Sequence, residues 1–411
     1  MGGLFIVMVG LPARGKSTVA SKLREGLESE GLNVDIFNNG ILRREMLGHD
    51  SSAPSFYDPQ NQDGRARREE LARINIKRAR AFLEAEGDVA VLDATNASRG
   101  RRAMIEEFAR GLPILYVECC NDDPDLLEAS VQRKTRLPEF SNLTPAEAEQ
   151  SFNKRIEYYK SIYAELESES CFLRVDTLNN RILKERLGYK IPHYIRIRDI
   201  LVSDWVRNLY LVRHGETVYN VEGRIGGDAP LTEKGLAQAN ALGRHFSNLV
   251  IPYIFTSTRQ RSAQTAAPVL AGQERQGFSP TRIALPEFDE IDAGVCESMR
   301  YDEIRSRMPE VFDARSHDKY NYEYPEGEGY ITLKARVDRG LKKALFLSGN
   351  APAIMIVGHQ AINRMILSHF LYRRTEDVPY IYIPQDQYFH IVSTQKKKLF
   401  ELVRFTGKLT F

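Results

Sequence analysis

The chain has 411 residues, of which 42% are hydrophobic and 27% are charged, and its formal net charge is only +2. This length is more natural for two domains than for one, and the composition argues against extensive disorder. Because the charge is nearly balanced, nothing global indicates nucleic acid or a membrane as a partner. Four cysteines are too few for a disulfide framework, and the first apolar run, residues 4–9, is too short for a membrane span. These features predict a cytoplasmic protein.

Short β-branched runs alternate with longer amphipathic stretches along the whole chain. This alternation is typical of βαβ units and of mainly parallel sheets. The predicted strands are residues 4–9, 33–37, 89–93 and 113–118 in the first half and residues 208–213, 253–257 and 353–358 in the second half. Segment 189–205 mixes Pro, aromatic and charged residues, which predicts a packed connection rather than a flexible tether. We therefore divide the chain into domains 1–206 and 207–411.

The sequence GLPARGKS at 10–17 follows the first predicted strand and precedes a helical pattern. It fits G-x-x-x-x-G-K-[ST], in which glycines let backbone N–H groups curl around phosphate oxygens. Lys16 can reach the β- and γ-phosphates of a nucleotide, and the Ser17 hydroxyl can ligate Mg²⁺. The strand at 89–93 ends in Asp93, which either approaches the metal or an acceptor hydroxyl or merely caps the next helix. Beside this loop, the first interpretation is favoured.

A kinase also needs an anion site for its acceptor, and arginine is the residue expected there. Guanidinium groups match the geometry of phosphate oxygens. The candidates are Arg43, Arg44, Arg68 and Arg155. The run of Arg99, Arg101 and Arg102 is interpreted as a solvated helix face.

The second half contains LVRHGET at 211–217, in which Arg213 and His214 leave the carboxyl end of a predicted strand. Ligands of open α/β sheets bind at this edge. A phosphate drawn to Arg213 would lie beside the imidazole of His214. The neighbouring guanidinium charge disfavours the imidazolium, so His214 is predicted to be neutral and nucleophilic.

Three other segments each supply one group that this chemistry needs. The segment 256–266 brings Arg261 as a second clamp on the transferring phosphoryl group. VGHQ follows a third strand and brings His359 as a donor to the phosphoryl oxygens. FDEIDAG brings Glu290 as the proton donor for the leaving alcohol.

In this order, GLPARGKS, VLDATN, RHGET with RIGGD, EIDAGVCE and GHQ resemble the 6-phosphofructo-2-kinase/fructose-2,6-bisphosphatase family. The resemblance runs from about Leu4 to about Pro384. It implies a P-loop NTPase-like domain with a mainly parallel sheet, followed by a phosphoglycerate-mutase-like histidine-phosphatase α/β sandwich. It also implies that the first domain makes fructose 2,6-bisphosphate from ATP and fructose 6-phosphate with Mg²⁺, and that the second hydrolyses the 2-phosphate. A homodimer is implied as well.

The resemblance assigns residues to four sites. The nucleotide site is assigned to Gly10, Arg14, Gly15, Lys16, Ser17, Thr18 and Lys134, with Ser17 and Asp93 at the metal. The fructose 6-phosphate site of the kinase is assigned to Arg43, Arg68, Arg155 and Tyr159. The reacting phosphate of the second domain is assigned to Arg213, His214, Asn220, Arg261, Glu290 and His359, and Gly226 is assigned to substrate binding without a subsite. The remaining 6-phosphate is assigned to Tyr301, Arg315, Lys319, Tyr330, Gln360 and Arg364.

Three positions depart from the family pattern. Ser17 stands where many members have Thr, Glu222 stands where a basic residue is frequent, and TRLPEF follows Lys134 where a Gly-containing turn is usual. The second departure predicts altered electrostatics at the mouth of the phosphatase site.

Two alternatives remain open. A small-metabolite kinase fused to a phosphoglycerate-mutase-like phosphatase would have no need of Arg315 and Lys319, with Tyr301 and Tyr330 beside them. A nucleotide-sensing binding protein with degenerate sites is disfavoured because every reacting residue is present. Measuring both synthesis and hydrolysis of fructose 2,6-bisphosphate distinguishes these two alternatives from the bifunctional enzyme.

Overall fold

The computed structural model describes residues 3–48, 54–57, 60–136, 138–371 and 374–406, without the side chains at 54 and 138. The chain forms two compact units, Met1–Asp204 and Trp205–Phe411. Each is an α/β structure built on one mainly parallel sheet, which confirms the predicted fold class. Within the described ranges, no helix is long and apolar enough to cross a membrane.

The elements of the first unit alternate between strand and helix over most of its length. Their bounds are β1 (Leu4–Val9), α1 (Lys16–Glu28), β2 (Val34–Asn38), α2 (Asn39–Leu47), α3 (Gln62–Ala85), β3 (Val89–Asp93), α4 (Arg99–Ala109), β4 (Ile114–Cys120), α5 (Pro124–Thr135), α6 (Pro145–Ser161), β5 (Cys171–Asp176), β6 (Arg181–Leu187) and α7 (Tyr194–Val202). The strand order is β2-β3-β1-β4-β5-β6, parallel except for β6. Short 3₁₀ helices cover Pro54–Tyr57 and Pro138–Phe140.

The centre of the first sheet is buried on both faces. All six residues of β1 are buried, which explains why its sequence is a continuous apolar run rather than an alternating one. Side chains of β1 belong to one core cluster with Tyr116 of β4 and Phe172 of β5. The connection at 189–205 is also packed, because α7 lies against α1 and Lys22 donates to the Ser203 carbonyl.

The second unit has the same alternation, ending in an antiparallel pair. Its bounds are β7 (Val206–Arg213), α8 (Val218–Glu222), α9 (Glu233–His245), β8 (Tyr253–Thr256), α10 (Gln260–Arg275), β9 (Thr281–Ala284), α11 (Tyr301–Arg307), α12 (Pro309–His317), α13 (Tyr330–Ser348), β10 (Ile354–Gly358), α14 (Gln360–Phe370), β11 (Gln387–Ser393) and β12 (Lys398–Arg404). The strand order is β12-β11-β7-β10-β8-β9. Strands β7, β10, β8 and β9 are parallel, so β7, β10 and β8 end at one edge of the sheet.

Candidate active sites

The loop between β1 and α1 depends on glycine for its curvature. Gly10 has a φ of 140°, and a Cβ there would lie 2.6 Å from the carbonyl oxygen of Cys119. Gly15, immediately before α1, has a φ of 81°. Glycine alone adopts such angles without steric cost. The loop therefore surrounds the N-terminus of α1, where unpaired N–H groups and the helix dipole attract anions.

Lys16 is buried at the start of α1, with 8% of its surface exposed. Its Nζ donates to the Leu11 carbonyl at 2.6 Å, inside the curve of the loop. Burial lowers the pKa of Lys16 to about 8, and the Asp93 carboxylate acts in the opposite direction. A cation with so little water around it gains strongly from an entering phosphate oxygen.

Asp93 ends β3 and pairs in register with Asn38 at the end of β2. The Asn38 amide donates to the Asp93 carboxylate, and its oxygen accepts from Ile41 N at 2.9 Å to cap α2. The helix after β3 is capped by Ser98, which accepts from Arg101 N at 3.2 Å. The alternative in which Asp93 caps that helix is therefore wrong. Asn38 was not predicted, although its place at the end of the strand next to β3 is the signal for it.

Ser17 and Asp93 line one cavity of the first unit. Hydroxyl and carboxylate oxygens are the ligand types that Mg²⁺ prefers, and the ion usually keeps water and substrate phosphate oxygens as its other ligands. Asp93 is only 4% exposed, and burial of a carboxylate is unfavourable without nearby positive charge. These residues therefore fit the metal.

Other predicted nucleotide residues lie around the same cavity. Arg14, Thr18 and Lys134 line it, whereas Gly10 acts behind the wall as a backbone turn. The Arg14 carbonyl accepts from Thr177 Oγ1 at 3.0 Å, which fixes the loop from the far side. Burial, followed by neighbouring arginine charge, lowers the pKa of Lys134.

The predicted acceptor residues Arg43, Arg68, Arg155 and Tyr159 line this cavity as well. Arg155 Cζ lies 4.9 Å from the ring centre of Tyr57, and Arg68 Cζ lies 4.6 Å from that of Tyr158. Arg155 Nε and Arg68 Nη2 are buried, and no atom of the described residues accepts a hydrogen bond from them. Buried N–H groups of this kind need an acceptor, so the cavity is suited to an anion.

Glu139 is an acidic residue of this cavity that the sequence did not single out. It is 8% exposed and forms an ion pair with Arg43, while Arg44 Nη1 lies 3.6 Å from its Oε2. Glu139 lies in a 3₁₀ helix, 96 residues after Arg43 in the sequence, so no local sequence pattern indicates this contact.

The interpretation of Arg99, Arg101 and Arg102 as a solvated face is confirmed for Arg99, which is exposed, and is wrong for Arg102. Arg102 is only 1% exposed, and its Nε donates to Glu169 at 2.5 Å. Its Nη1 also donates to the carbonyls of Ala97 and Ala164, each at 3.0 Å. A buried carboxylate and several backbone acceptors thus replace its hydration. Arg101 lines the cavity and pairs with a glutamate of α3 at 2.7 Å.

A second cavity, of about 230 Å³, lies at the common edge of β7, β10 and β8. Arg213 and Gly358 are register partners, and His214 N donates to the Gly358 carbonyl at 3.1 Å. The predicted residues that line the cavity are Arg213, His214, Asn220, Gly226, Arg261, Glu290, Tyr301, Arg315, Lys319, Tyr330, Gln360 and Arg364. His359 lies behind the wall and is fully buried.

His214 is 3% exposed, and one nitrogen of its ring makes a hydrogen bond. Its Nδ1 lies 2.8 Å from the Gly215 carbonyl, which can only accept, so Nδ1 carries the proton and Nε2 carries the lone pair. Burial, with the charges of Arg261 and Arg213, lowers the pKa of His214 well below its ordinary range. The imidazole is therefore neutral and has the tautomer that a nucleophile needs.

His359 has the opposite tautomer. Its Nδ1 lies 3.2 Å from Nε of Arg261, which can only donate, so Nδ1 is the acceptor. Its Nε2 carries the proton and lies 2.8 Å from the hydroxyl of Ser257, a fully buried residue that was not predicted. Burial and the Arg261 charge lower the pKa of His359 well below its ordinary range. Both ring nitrogens of His359 thus have protein partners, so His359 orients the guanidinium of Arg261 and is not placed as the predicted donor to a phosphoryl oxygen.

Arg213 and Glu290 are fixed around the two imidazoles. Arg213 Nη1 donates to the Ile383 carbonyl at 3.1 Å, and its buried Nε has no hydrogen-bond acceptor among the described residues. The Glu290 carboxylate accepts from the backbone N–H groups of Gln360 and Ala361, at 3.0 and 3.2 Å, at the start of α14. These contacts hold a cation and a carboxylate at the same edge.

A second group of cations lines another part of this cavity. Arg315 Cζ lies 5.4 Å from the Tyr301 ring centre, and Arg364 Nη1 donates to Tyr330 Oη at 3.0 Å. Burial lowers the pKa of Lys319 to about 8, and the Arg315 and Arg364 charges act in the same direction. Three mutually repelling cations beside tyrosine hydroxyls form a site for an anion that carries more than one negative charge.

Glu222, the acidic departure from the family pattern, lies beside this cavity. Its Oε2 accepts from Nε of Arg224 at 2.6 Å, and Arg224 lines the cavity. Glu222 therefore changes the electrostatics of the cavity by partly neutralising the charge of Arg224.

Comparisons with known proteins match both halves of the chain. The family described as 6-phosphofructo-2-kinase matches residues 2–199, and the histidine phosphatase superfamily (branch 1) matches residues 209–406. The rat 6-phosphofructo-2-kinase/fructose-2,6-bisphosphatase 3 is 35% identical over 390 residues, covering 92% of this chain and 68% of the relative. The chicken 6-phosphofructo-2-kinase/fructose-2,6-bisphosphatase is 34% identical, covering 92% of this chain and 80% of the relative.

Solved structures resemble the second half of the chain. The α-ribazole phosphatase from Shigella flexneri is 26% identical, with a TM-score of 0.43, and covers 48% of this chain and 96% of its own. The resemblance predicted from the motifs is confirmed by these two relatives, which match 92% of this chain. This chain belongs to the 6-phosphofructo-2-kinase/fructose-2,6-bisphosphatase family.

Proposed function

We propose that residues 1–206 synthesise fructose 2,6-bisphosphate from ATP and fructose 6-phosphate, and that residues 207–411 hydrolyse its 2-phosphate. The observation that carries this proposal is the second cavity. It combines a neutral, buried His214 between two arginines with a separate group of cations at Arg315, Lys319 and Arg364. A substrate with two phosphates on one small molecule fits that arrangement. The chain would thus set the level of an effector of glycolysis and gluconeogenesis.

The kinase reaction is a direct in-line transfer. The P-loop N–H groups and Lys16 hold the nucleotide phosphates, and Ser17 and Asp93 would hold Mg²⁺. When bound, Mg²⁺ supplies positive charge at the β- and γ-phosphate oxygens. Asp93, fixed by Asn38, accepts the proton of the sugar 2-hydroxyl as that oxygen forms a bond to the γ-phosphorus, the bond from the γ-phosphorus to the β,γ-bridging oxygen breaks, and ADP leaves.

The arginines of the first cavity hold the acceptor. Arg43, Arg68 and Arg155 bind the 6-phosphate of the sugar, with Tyr159 beside them. The unsatisfied nitrogens of Arg68 and Arg155 support this assignment. Holding the acceptor by a phosphate that does not react leaves its 2-hydroxyl free to approach the nucleotide, and such positioning supplies much of the rate enhancement.

The phosphatase reaction has two steps. In the first, the Nε2 lone pair of His214 forms a bond to the 2-phosphorus, the bond from phosphorus to the sugar oxygen breaks, and Glu290 gives that oxygen a proton. In the second, a water oxygen forms a bond to the phosphorus while Glu290 takes a proton from that water, the N–P bond breaks with its electron pair returning to Nε2 of His214, and inorganic phosphate leaves. Arg213 and Arg261 neutralise the phosphoryl oxygens throughout, and His359 holds Arg261 in place.

Labelling with fructose 2,6-bisphosphate that carries radioactive phosphate at position 2 tests the phosphatase half. We expect acid-labile label on the wild-type protein and none on His214→Ala. Persistent label on the variant would assign the nucleophile elsewhere. In Glu290→Gln, label is expected to accumulate more slowly and to turn over more slowly, because both proton transfers are lost.

The family relationship also supports a cytoplasmic homodimer. Light scattering of the purified protein tests the assembly, and a monomer at micromolar concentration would contradict it. Isothermal titration of the nucleotide with and without Mg²⁺ tests the metal. We expect Ser17→Ala to reduce the difference between the two titrations.

A further inference from the structure

Residues 379–385 contact side chains that line the phosphatase cavity, in a segment that no sequence motif marks. The carbonyl oxygens of Pro379, Ile381 and Ile383 each accept a hydrogen bond from a cation of the cavity. The donors are Lys319 at 3.2 Å, Arg364 at 2.9 Å and Arg213 at 3.1 Å, respectively. The three carbonyls, at alternate residues, thus bind cations from both groups: the group proposed for the reacting phosphate and the group proposed for the remaining phosphate.

The end of this segment is fixed by its own burial. Ile383 is 3% exposed, Pro384 is buried as well, and the segment continues into β11, which pairs with β7. Gln385 therefore starts from a backbone with little freedom. Its side chain does not line the cavity, yet it points to two residues that do.

Gln385 Nε2 donates to Asn220 Oδ1 at 2.9 Å and to the His214 carbonyl at 3.2 Å. An amide nitrogen has two protons, so both are used. Asn220 Oδ1 also accepts from the backbone N–H of Thr217 at 3.1 Å. With two donors on its oxygen, the Asn220 amide cannot turn over without losing both bonds.

The orientation of Asn220 decides what it presents to a phosphate. When Oδ1 is held by Gln385 and Thr217, the Nδ2 group is left for the cavity, where it can donate to a phosphoryl oxygen. If the amide turned over, an oxygen would face the phosphoryl oxygens and repel them. The oxygen and nitrogen of an Asn or Gln amide have nearly the same shape, so the hydrogen-bond partners decide which atom occupies which place.

We propose that Gln385 is a positioning residue of the phosphatase, which holds Asn220 with its amide nitrogen directed at the transferring phosphoryl group. This inference rests on the proposed function of the second cavity. Gln385 acts through Asn220 and through the His214 backbone, and it does not contact the substrate. The segment that contains it keeps both groups of cations in register with the nucleophile.

The test is a double-mutant cycle in the full-length chain with Gln385→Leu, Asn220→Ala and the double variant. Gln385→Leu is expected to lower kcat for fructose 2,6-bisphosphate hydrolysis about fivefold, the value of one hydrogen bond of about 1 kcal/mol. KM is expected to change less, because the contact matters most when charge moves in the transition state. The double variant is expected to be no slower than Asn220→Ala, since Gln385 has nothing left to orient.

Two measurements keep the result interpretable. Kinase activity of the same variants reports on the first unit and is expected to stay within about twofold of wild type, since Gln385 and Asn220 belong to the second unit. Hydrolysis by the wild-type chain tests the proposed function by itself, so its absence is distinguishable from failure of the inference. The role of Gln385 would be overturned if kcat of the double variant fell by the product of the two single-variant factors, or if Gln385→Leu left kcat unchanged.

Discussion

His214 and His359 make the stability of the second unit depend on pH. Both imidazoles are buried, with 3% and 0% of their surface exposed, and the pKa of each lies well below the ordinary value of 6.5. As the pH falls below 6.5, the unfolded chain binds protons at these positions and the folded chain does not. Stability therefore decreases with falling pH, until the folded-state pKa values are reached.

The size of this effect follows from proton linkage alone. Between about pH 7.5 and about pH 5.5, each histidine that is protonated only in the unfolded chain lowers the free energy of unfolding by about 1.4 kcal/mol. Replacing His214 by Asn removes one such group and keeps a side chain that can donate to the Gly215 carbonyl. The wild-type unit is therefore expected to lose about 1.4 kcal/mol more than His214→Asn over this interval.

Urea unfolding at the two pH values measures this difference. The single tryptophan, Trp205, belongs to the second unit, so its fluorescence follows that unit. Titrating carboxylates contribute equally to both proteins and cancel in the comparison. The matched control is His317→Asn, which makes the same substitution at an exposed position outside the buried pair. Equal pH dependence of wild type and His214→Asn would refute a neutral, desolvated His214.

Three further predictions concern single contacts. Lys319→Met is expected to raise KM for fructose 2,6-bisphosphate. In a pH series of initial rates, the wild-type KM should rise as the pH passes about 8, where Lys319 loses its charge, and the variant should lack that rise. Arg155→Lys is expected to raise the kinase KM for fructose 6-phosphate about tenfold, because an ammonium cannot reproduce the fork and stacking of the guanidinium, with phosphatase kinetics as control. Gly10→Ala places a Cβ 2.6 Å from the Cys119 carbonyl, so nucleotide binding measured by titration should be lost while hydrolysis persists; retained binding would contradict the glycine requirement.

The sequence predicted the elements that are buried from end to end. β1 and β10 are entirely buried, and their uninterrupted apolar runs are readable without a structure. Five strands of the described ranges were missed. β6, β9 and β12 are edge strands, and β6 and β12 have mostly exposed and charged residues that by sequence resemble loops. β5 and β11 are internal strands that the prediction also left out. The bounds of the predicted strands differ from the observed ones by up to two residues, as at β4.

The sites were readable where chemistry is local in sequence. The P-loop and the segment around His214 combine a strand end, a turn and a reactive side chain within a few residues. Glu139 and Gln385 were not visible because their partners lie 96 and 165 residues away in sequence. Arg102 was misjudged because a buried arginine has the same sequence signature as an exposed one until its carboxylate partner is known. Tertiary contacts, rather than local pattern, decide such residues.

The central claim is that one chain makes and breaks the same phosphate ester at two separate sites. The direct measurement follows fructose 2,6-bisphosphate in purified wild type, Lys16→Met and His214→Ala, supplied with ATP, Mg²⁺ and fructose 6-phosphate. Wild type is expected to approach a steady level, Lys16→Met to produce none while still degrading added product, and His214→Ala to accumulate product without decay. Synthesis by Lys16→Met, or hydrolysis by His214→Ala, would contradict the account.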